Sequence, residues 1–208
     1  MENPPQDPIH QTKEKILMSA LALFCEKGYS KTTLNDISNS LNLSKGAIYW
    51  HFKNKEELFY SLIEWFVSEM ERVAPLNPEL VKTPDDLKKL LIGFCNTFLM
   101  HKELQKGYCI LLSRSEWMND LTKTSSYIEK MFSDYIMGVS KIFKGLQAKG
   151  MIKPEINPEL TVKALLSAMD GIFINSIFLD DFSDTGLQIE NLLNLMFKAI
   201  DTKTQWAV

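Results

Sequence analysis

Apolar residues recur at intervals of three and four along almost the whole chain, and this spacing constrains the fold more than any other feature. Leu17, Leu21 and Phe24 are an example, because residues at these intervals lie on one face of an α-helix. No stretch alternates apolar and polar residues as a half-buried strand would. The sequence therefore predicts an all-α fold.

Start and stop signals divide the pattern into short helices followed by longer ones. The short helices are predicted over about 12–27, 33–41 and 45–52, and a fourth follows from Asn54 to about Val73. Pro75, Pro78 and Pro84 then interrupt the pattern, because proline cannot continue a helix interior. The longer helices are predicted over about 84–101, 106–117, 121–149, 158–179 and 187–202.

These elements predict a small domain joined to a larger one, which a chain of 208 residues can accommodate. A tail over residues 1–11 precedes a three-helix, N-terminal head over 12–56, and a larger C-terminal helical domain covers 57–208.

Positive charge is concentrated in the head. Between residues 27 and 55 there are five lysines against a single acid, Asp36, which gives this window a net charge of +4. The whole chain carries −3, so the remainder carries −7. A basic segment in an otherwise acidic protein is typical of a molecule that contacts phosphate groups at one place only.

Several classes of protein are not expected. The chain has no uncharged apolar run of 18 residues and no basic, apolar leader, so we predict a cytoplasmic protein without a membrane partner.

Cys25, Cys95 and Cys109 are odd in number and widely spaced, which predicts free thiols, with redox sensing as the alternative. His10, His51 and His101 are scattered, so neither a metal site nor a cofactor is predicted. Motifs for a phosphate loop, a nucleophile elbow or paired carboxylates are absent, so no enzyme is expected.

The second and third predicted helices, joined by a short turn, make a helix-turn-helix. Thr33 begins the second helix with a capping signal, and its hydroxyl and the free N–H groups beside it suit a phosphate. Ser44 is the predicted N-cap of the third helix and is also a predicted DNA-binding residue, with Ile48 and Phe52 facing inward.

The remaining side chains of the third helix suit contact with DNA. Lys45 can reach a guanine edge or a phosphate, Gly46 permits close approach to the groove, and Ala47 can touch a thymine methyl. Phosphate contacts are predicted for Tyr49, His51 and Lys55. For Trp50, contact with DNA and stacking on a neighbouring helix are equally good interpretations.

The run TLNDISNSLNLSKGAIYWHFKNKEEL, from Thr33 to Leu58, resembles the DNA-binding signature of the TetR family of transcriptional regulators. Phe24 and Gly28 extend the resemblance, which covers roughly residues 12–60. Ser38 departs from the family pattern, which usually has alanine there.

The resemblance implies an all-helical homodimer that binds a near-palindromic, double-stranded operator. It also implies a small-molecule pocket in the C-terminal domain, whose occupation respaces the two heads and releases the DNA. A hydrophobic or amphipathic effector is therefore expected, and the regulator is expected to be a repressor. The alternative is a related activator or DNA-organising protein that answers to no small molecule.

Aromatic and methionine side chains of the C-terminal domain are the candidate ligand contacts, with ordinary core packing as the alternative. These candidates are Trp65, Phe94, Phe98, His101, Tyr108, Tyr127, Met131, Met169 and Phe173. A broad apolar stripe on the last two helices is the candidate dimer interface, with an unusually apolar core within one chain as the alternative. It comprises Leu165, Ile172, Ile177, Leu192, Leu195, Met196 and Ala199.

Overall fold

The computed structural model describes residues 8–73, 75, 77–113, 117 and 121–202. Over these residues the helices are α1 (Pro8–Lys27), α2 (Leu34–Ser40), α3 (Lys45–His51), α4 (Lys55–Val73), α5 (Pro84–Met100), α6 (Lys102–Leu112), α7 (Thr122–Ala148), α8 (Pro158–Leu179) and α9 (Thr185–Ile200). A 3₁₀ turn at Pro78–Leu80 precedes α5. Extended pairing in the described ranges consists of one isolated antiparallel bridge, between Ile152 and Asp201. The all-α prediction is confirmed.

Three predicted helix boundaries need correction. Helix α1 begins at Pro8, inside the segment predicted as a tail, and proline is well suited to a first helical position. The helix predicted over 106–117 lies at Lys102–Leu112 instead. His101 ends α5 with an extended backbone, and the chain can start a new helix at the next residue. Helix α9 begins at Thr185, two residues before its predicted start.

The contacts divide the chain into two compact units. The first unit contains the predicted head of residues 12–56 and is called the head unit; it consists of Met1–Met70 and Lys102–Ile128. The second is called the body unit and consists of Glu71–His101 and Glu129–Val208. Helices α4 and α7 contribute residues to both units. Helix α6 belongs to the head unit, where it packs against α1.

An aromatic cluster forms the core of the head unit. The rings of Phe24, Tyr29 and Phe59 lie with their centroids 4.8–5.6 Å apart. Trp117 joins them with its centroid 5.6 Å from that of Phe59, and its indole Nε1 donates a hydrogen bond of 3.1 Å to the carbonyl oxygen of Ile110. All four side chains are buried, so their packing stabilises the platform that carries α2 and α3.

The body unit is built from α5, α8 and α9 together with most of α7. Phe98 and Phe173 make an edge-to-face pair with centroids 4.7 Å apart, and the centroids of Phe143 and Phe197 are 6.1 Å apart. At the end of α9, the Lys153 ammonium donates a hydrogen bond of 2.8 Å to the carbonyl oxygen of Ala199. This bond satisfies a carbonyl that the helix itself leaves unpaired.

Helix α8 is apolar on two faces. Leu165, Met169 and Phe173 are buried within the body unit, whereas Ile174 and Phe178 on the other side are exposed, Phe178 by 85%. By length and composition alone α8 could cross a membrane, with a mean hydropathy of 1.5 over 18 residues. A core helix of a soluble protein passes the same test, and the two-sided apolar pattern accounts for the hydropathy of α8.

Candidate nucleic-acid interface

Helix α2 begins at a complete capping box. The hydroxyl of Thr33 accepts a hydrogen bond of 3.1 Å from the backbone N–H of Asp36, and the Asp36 carboxylate accepts one of 2.8 Å from the backbone N–H of Thr33. The same hydroxyl donates to Asp36 over 2.6 Å, which lowers the pKa of that carboxyl. The predicted phosphate contact through the Thr33 hydroxyl therefore competes with the capping box.

The turn after α2 is fixed by the backbone. Asn42 adopts a left-handed conformation with φ of 54°, which asparagine tolerates better than most residues. The N–H of Leu43 then donates a hydrogen bond of 2.9 Å to the carbonyl oxygen of Ser38. Ser38 itself is buried, and its hydroxyl donates to the carbonyl oxygen of Asn35 over 2.9 Å. The helix therefore accommodates a serine where the family pattern usually has alanine.

Helix α3 is held at both ends and by its inner face. The Ser44 hydroxyl accepts a hydrogen bond of 3.1 Å from the N–H of Ala47, as its predicted role as N-cap requires. Ile48 is fully buried, and Phe52, which follows the last residue of α3, is 1% exposed. Anchoring on these two residues fixes which side of α3 faces outward.

The outer face of α3 is formed by residues one helical turn apart. Lys45 and Tyr49 make one row, and Gly46 and Trp50 make the next. Tyr49 is 55% exposed and Trp50 66% exposed, while Ala47 is half-buried beside them. The structure thus brings a cation, a phenol and an indole together on one exposed face, next to a glycine that leaves room for close approach.

His51 lies at the edge of this face. Its ring packs edge-to-face on the ring of Trp50, with centroids 4.6 Å apart, and Trp50 makes no other described ring contact. Burial, and secondly the positive charge of Lys13, hold the pKa of His51 below its ordinary value of 6.5. Its imidazole is therefore neutral at pH 7 and can donate one hydrogen bond to a phosphate.

Lys13 is a candidate contact that the sequence analysis missed. Its ammonium lies 5.8 Å from the centroid of the Phe52 ring, and its charge acts on His51. It brings a cation from α1 to the C-terminal end of α3. No local motif marks this lysine, because it is distant from α3 in sequence.

Lys55, a predicted phosphate contact, makes several contacts within the head unit. Its ammonium donates hydrogen bonds to the carbonyl oxygens of Tyr29, over 2.8 Å, and Ser30, over 3.4 Å. It also lies 4.2 Å from the centroid of the Tyr29 ring. Lys55 is half-buried and ties the start of α4 to the segment between α1 and α2. A phosphate contact at Lys55 would compete with these bonds, and that contact stays a prediction.

The candidate ligand residues fall in both units. Trp65, Tyr108 and Tyr127 are half-buried in the head unit, where Tyr127 packs on Tyr60 with centroids 5.4 Å apart. The body unit holds the others, namely Phe94, Phe98, His101, Met131, Met169 and Phe173. Their assignment to a ligand site stays a prediction.

Among the candidates in the body unit, exposure separates two groups. Phe98, Met169 and Phe173 are buried in the core, which favours the packing interpretation for these three. Phe94, His101 and Met131 are half-buried and remain accessible. The ring of Phe94 lies 6.2 Å from that of Tyr135, whose pKa is raised to about 12 by burial and then by the nearby Cys95 and Asp170. Tyr135 therefore stays protonated and can donate a hydrogen bond near Phe94.

The candidate dimer residues differ in accessibility. Leu165 is buried within the body unit, so it is not available on the surface of this chain. Ile172, Ile177, Leu192, Met196 and Ala199 are half-buried, and Leu195 is 65% exposed. Phe178 and Leu187 are exposed apolar residues of the same two helices that the sequence analysis did not select.

Comparison with known proteins identifies the family. The family model described as "Bacterial regulatory proteins, tetR family" matches residues 16–62, which contain α2 and α3. The "Probable acrEF/envCD operon repressor" of Escherichia coli (strain K12) is 51% identical over 192 residues, covering 89% of this chain and 86% of that protein. The chain belongs to the TetR family. It is therefore a DNA-binding transcriptional regulator, and the resemblance seen in the sequence is confirmed.

Solved structures agree with the TetR fold over nearly the whole chain. NalD, described as the secondary repressor of the MexAB-OprM multidrug efflux pump in Pseudomonas aeruginosa, superposes with a TM-score of 0.77 and 23% identity, covering 96% of this chain and all of NalD. SmeT, from Stenotrophomonas maltophilia and solved as a complex with triclosan, gives a TM-score of 0.73 and 24% identity, covering 94% of this chain and 95% of SmeT. These likenesses extend the TetR fold to the helices beyond the matched segment.

Proposed function

We propose that this chain is a homodimeric repressor that grips a near-palindromic operator through the outer face of α3 and is released by a small hydrophobic or amphipathic ligand. The observation that carries the proposal is the exposure of Lys45, Gly46, Tyr49 and Trp50 on a helix fixed by Ser44, Ile48 and Phe52. A rigid helix with an exposed polar and aromatic face suits insertion into a major groove.

The apolar outer faces of α8 and α9 support dimerisation. Phe178, Leu187 and Leu195 are each more than 60% exposed in the single chain. Large exposed apolar side chains on adjacent helices are unusual on a monomer and are suited to a two-fold interface. Two copies related in this way would present two α3 helices to two half-sites of an operator.

The names of the relatives indicate which kind of operon this chain regulates and which class of ligand releases it. The E. coli relative is named as an operon repressor, and the repressors NalD and SmeT are named for multidrug efflux pumps. We therefore infer that this chain controls an efflux operon and responds to compounds that such a pump exports. Phe94, Met131 and Tyr135 in the body unit offer an apolar surface with one protonated phenol for such a compound.

We infer that residues 12–56 bind DNA and that residues 57–208 bind the effector and form the dimer. We infer action in the cytoplasm, where the operator lies, and no catalytic activity. Groups of three or more metal-ligating side chains are absent from the described residues.

A selection experiment tests the DNA-binding half of the proposal. The intact protein is incubated with a pool of random-sequence DNA duplexes, and bound duplexes are amplified and reselected. We expect enrichment of one motif with two-fold symmetry, and footprinting on it should show two protected half-sites. Enrichment of no sequence, or of a motif without symmetry, would contradict a homodimeric operator binder.

Release by ligand is tested on the selected duplex. Triclosan and a panel of hydrophobic and cationic compounds are titrated into the protein–DNA complex, and fluorescence anisotropy follows the release of labelled DNA. At least one compound should release the DNA and also raise the melting temperature of the free protein. If no compound in the panel releases the DNA, ligand release is contradicted and an activator or DNA-organising protein is favoured.

A further inference from the structure

The thiols of Cys25 and Cys109 meet inside the head unit, although they are far apart in sequence. Cys25 lies on α1 and Cys109 on α6, two helices that pack against each other. The two thiols are close enough to shift each other's pKa, and both cysteines are half-buried and unbridged. Their contact is a tertiary feature that spacing along the sequence could not predict.

A cavity gives small molecules access to this pair. Its volume is about 230 Å³, and both cysteines line it together with Lys27, Gly28 and Ser113. Glu26 also lines the cavity, so its charge partly offsets that of Lys27, while the positive charge of Lys106 acts on Cys25. Reactive cysteines typically occupy partly exposed surroundings near a positive charge, whereas structural cysteines are buried and inert. The third cysteine, Cys95, is of the second kind, because it is 1% exposed and burial raises its pKa to about 12.

The two thiols differ in acidity. The pKa of Cys25 is lowered to about 7, first by its interaction with Cys109 and to a smaller degree by the positive charge of Lys106, and burial opposes both effects. The pKa of Cys109 is raised by the same interaction, by burial and by the charge on Cys25. At neutral pH Cys25 is therefore the nucleophile and Cys109 the thiol that keeps its proton.

We propose that Cys25 and Cys109 form a modification site at which a hydroperoxide oxidises the two thiols to a disulfide. The Cys25 thiolate attacks the terminal oxygen of the hydroperoxide, the O–O bond breaks, and the alkoxide or hydroxide leaves and takes up a proton. Cys25 is then a sulfenic acid. The sulfur of Cys109 attacks that of Cys25, the S–O bond breaks, and the hydroxyl group leaves with the Cys109 proton as water. The two thiols have lost two electrons to the peroxide.

The disulfide would change the geometry of the head unit. A disulfide fixes its two sulfurs about 2.05 Å apart with a restricted geometry, so it would constrain how α1 and α6 pack. Helix α1 packs on α2, and α2 packs on α3. We therefore expect oxidation to weaken operator binding, a consequence that depends on the DNA-binding function proposed above.

Intact mass measurement tests the site directly. The reduced full-length protein is treated with hydrogen peroxide in the absence of thiols, and a mass loss of about 2 Da per chain is expected, reversed by dithiothreitol. Peptide mapping should place the bond between Cys25 and Cys109. An unchanged mass, a bond that includes Cys95, or an oxidised Cys25 that never links to Cys109 would overturn the proposal.

Three serine variants serve as matched controls, with circular dichroism to verify folding. Cys109→Ser should stop at a sulfenic acid on Cys25 that dimedone traps, and Cys25→Ser should react at least about tenfold more slowly than the parent. Cys95→Ser should behave as the parent does. Alkylation of the parent by iodoacetamide gives an independent readout, because the reactivity of Cys25 should rise with a midpoint near pH 7. Equal reactivity of the three cysteines at every pH would contradict the assignment.

Binding of the reduced and oxidised protein to the selected operator duplex distinguishes a failure of the thiol proposal from a failure of the proposed DNA-binding function. If the reduced protein binds no DNA, the proposed repressor function fails, while the mass result still decides the thiol site. If the disulfide forms and operator affinity is unchanged, the regulatory consequence is wrong.

Discussion

The ammonium of Lys55 donates a hydrogen bond of 2.8 Å to the carbonyl oxygen of Tyr29 and lies 4.2 Å from the centroid of the same residue's ring. One side chain of α4 thereby holds the segment that leads into the helix-turn-helix. Lys55→Met keeps the length of the side chain and removes the charge. We expect it to lower the free energy of unfolding by about 1–3 kcal/mol, because the carbonyl of Tyr29 loses a charged donor.

Urea denaturation of the purified protein measures this change, and Lys53→Met is the matched control. Lys53 is an exposed lysine two residues away, and its substitution should stay within about 0.5 kcal/mol of the parent. Equal effects of the two substitutions would show that the Lys55 contacts do not stabilise the head unit.

Gly107 allows α6 to approach Phe66 of α4 within the head unit. A Cβ atom at Gly107 would lie 2.3 Å from Cδ2 of Phe66, which is only 5% exposed and has little room to move. Gly107→Ala should therefore destabilise the protein by about 1–3 kcal/mol, as overpacking does. Thermal unfolding measures the effect.

Gly145→Ala provides the opposite control for that substitution. Gly145 lies within α7, is exposed, and an added Cβ would meet no atom within 4 Å. Alanine there should stabilise the protein by about 0.5–1 kcal/mol, because it favours the helix. A stabilising Gly107→Ala would mean that α4 and α6 are not packed as described.

The depressed pKa of His51 predicts a dependence of stability on pH. Between the folded-state pKa and the ordinary value of 6.5, the unfolded chain binds a proton at His51 that the folded chain does not. The contribution of His51 to stability is therefore full above pH 6.5 and is lost as the pH falls below that value. Denaturation curves at pH 7.5 and pH 5.5 should show a smaller loss for His51→Gln than for the parent. An identical loss in both proteins would contradict the depressed pKa.

The outer face of α9 is expected to hold two copies together. Leu195→Lys places a charge on an apolar side chain that is 65% exposed in the single chain, and it should convert the dimer to a monomer at micromolar concentration. Met137→Lys is the control, because Met137 is similarly exposed but lies on α7. Sedimentation equilibrium gives the two masses. A dimeric Leu195→Lys variant would exclude this face as the interface.

Much of the candidate site follows from local sequence. The N-caps at Thr33 and Ser44 depend on residues three positions away, and the inward side of α3 follows from the spacing of Ile48 and Phe52. These features were predicted because both partners in each interaction lie within one or two helical turns.

Other features depend on contacts between distant segments. The bonds of Lys55 to the Tyr29 region, the approach of Lys13 to α3 and the meeting of Cys25 with Cys109 each join different helices. Helical periodicity shows which side chains face inward but not what they meet. For the same reason it could not separate ligand contacts from core packing at Phe98 and Phe173, which pack on each other.

The binding of the selected duplex by variants of α3 tests the central claim most directly. Anisotropy titrations over a range of salt concentrations would compare Lys45→Ala and Tyr49→Ala with the parent and with Lys149→Ala. Lys149 is an exposed lysine that follows the last residue of α7. We predict a loss of at least about tenfold for each α3 variant with unchanged unfolding curves, and no change for Lys149→Ala. If Lys45→Ala and Tyr49→Ala bind the duplex as tightly as the parent, α3 is not the helix that contacts the DNA.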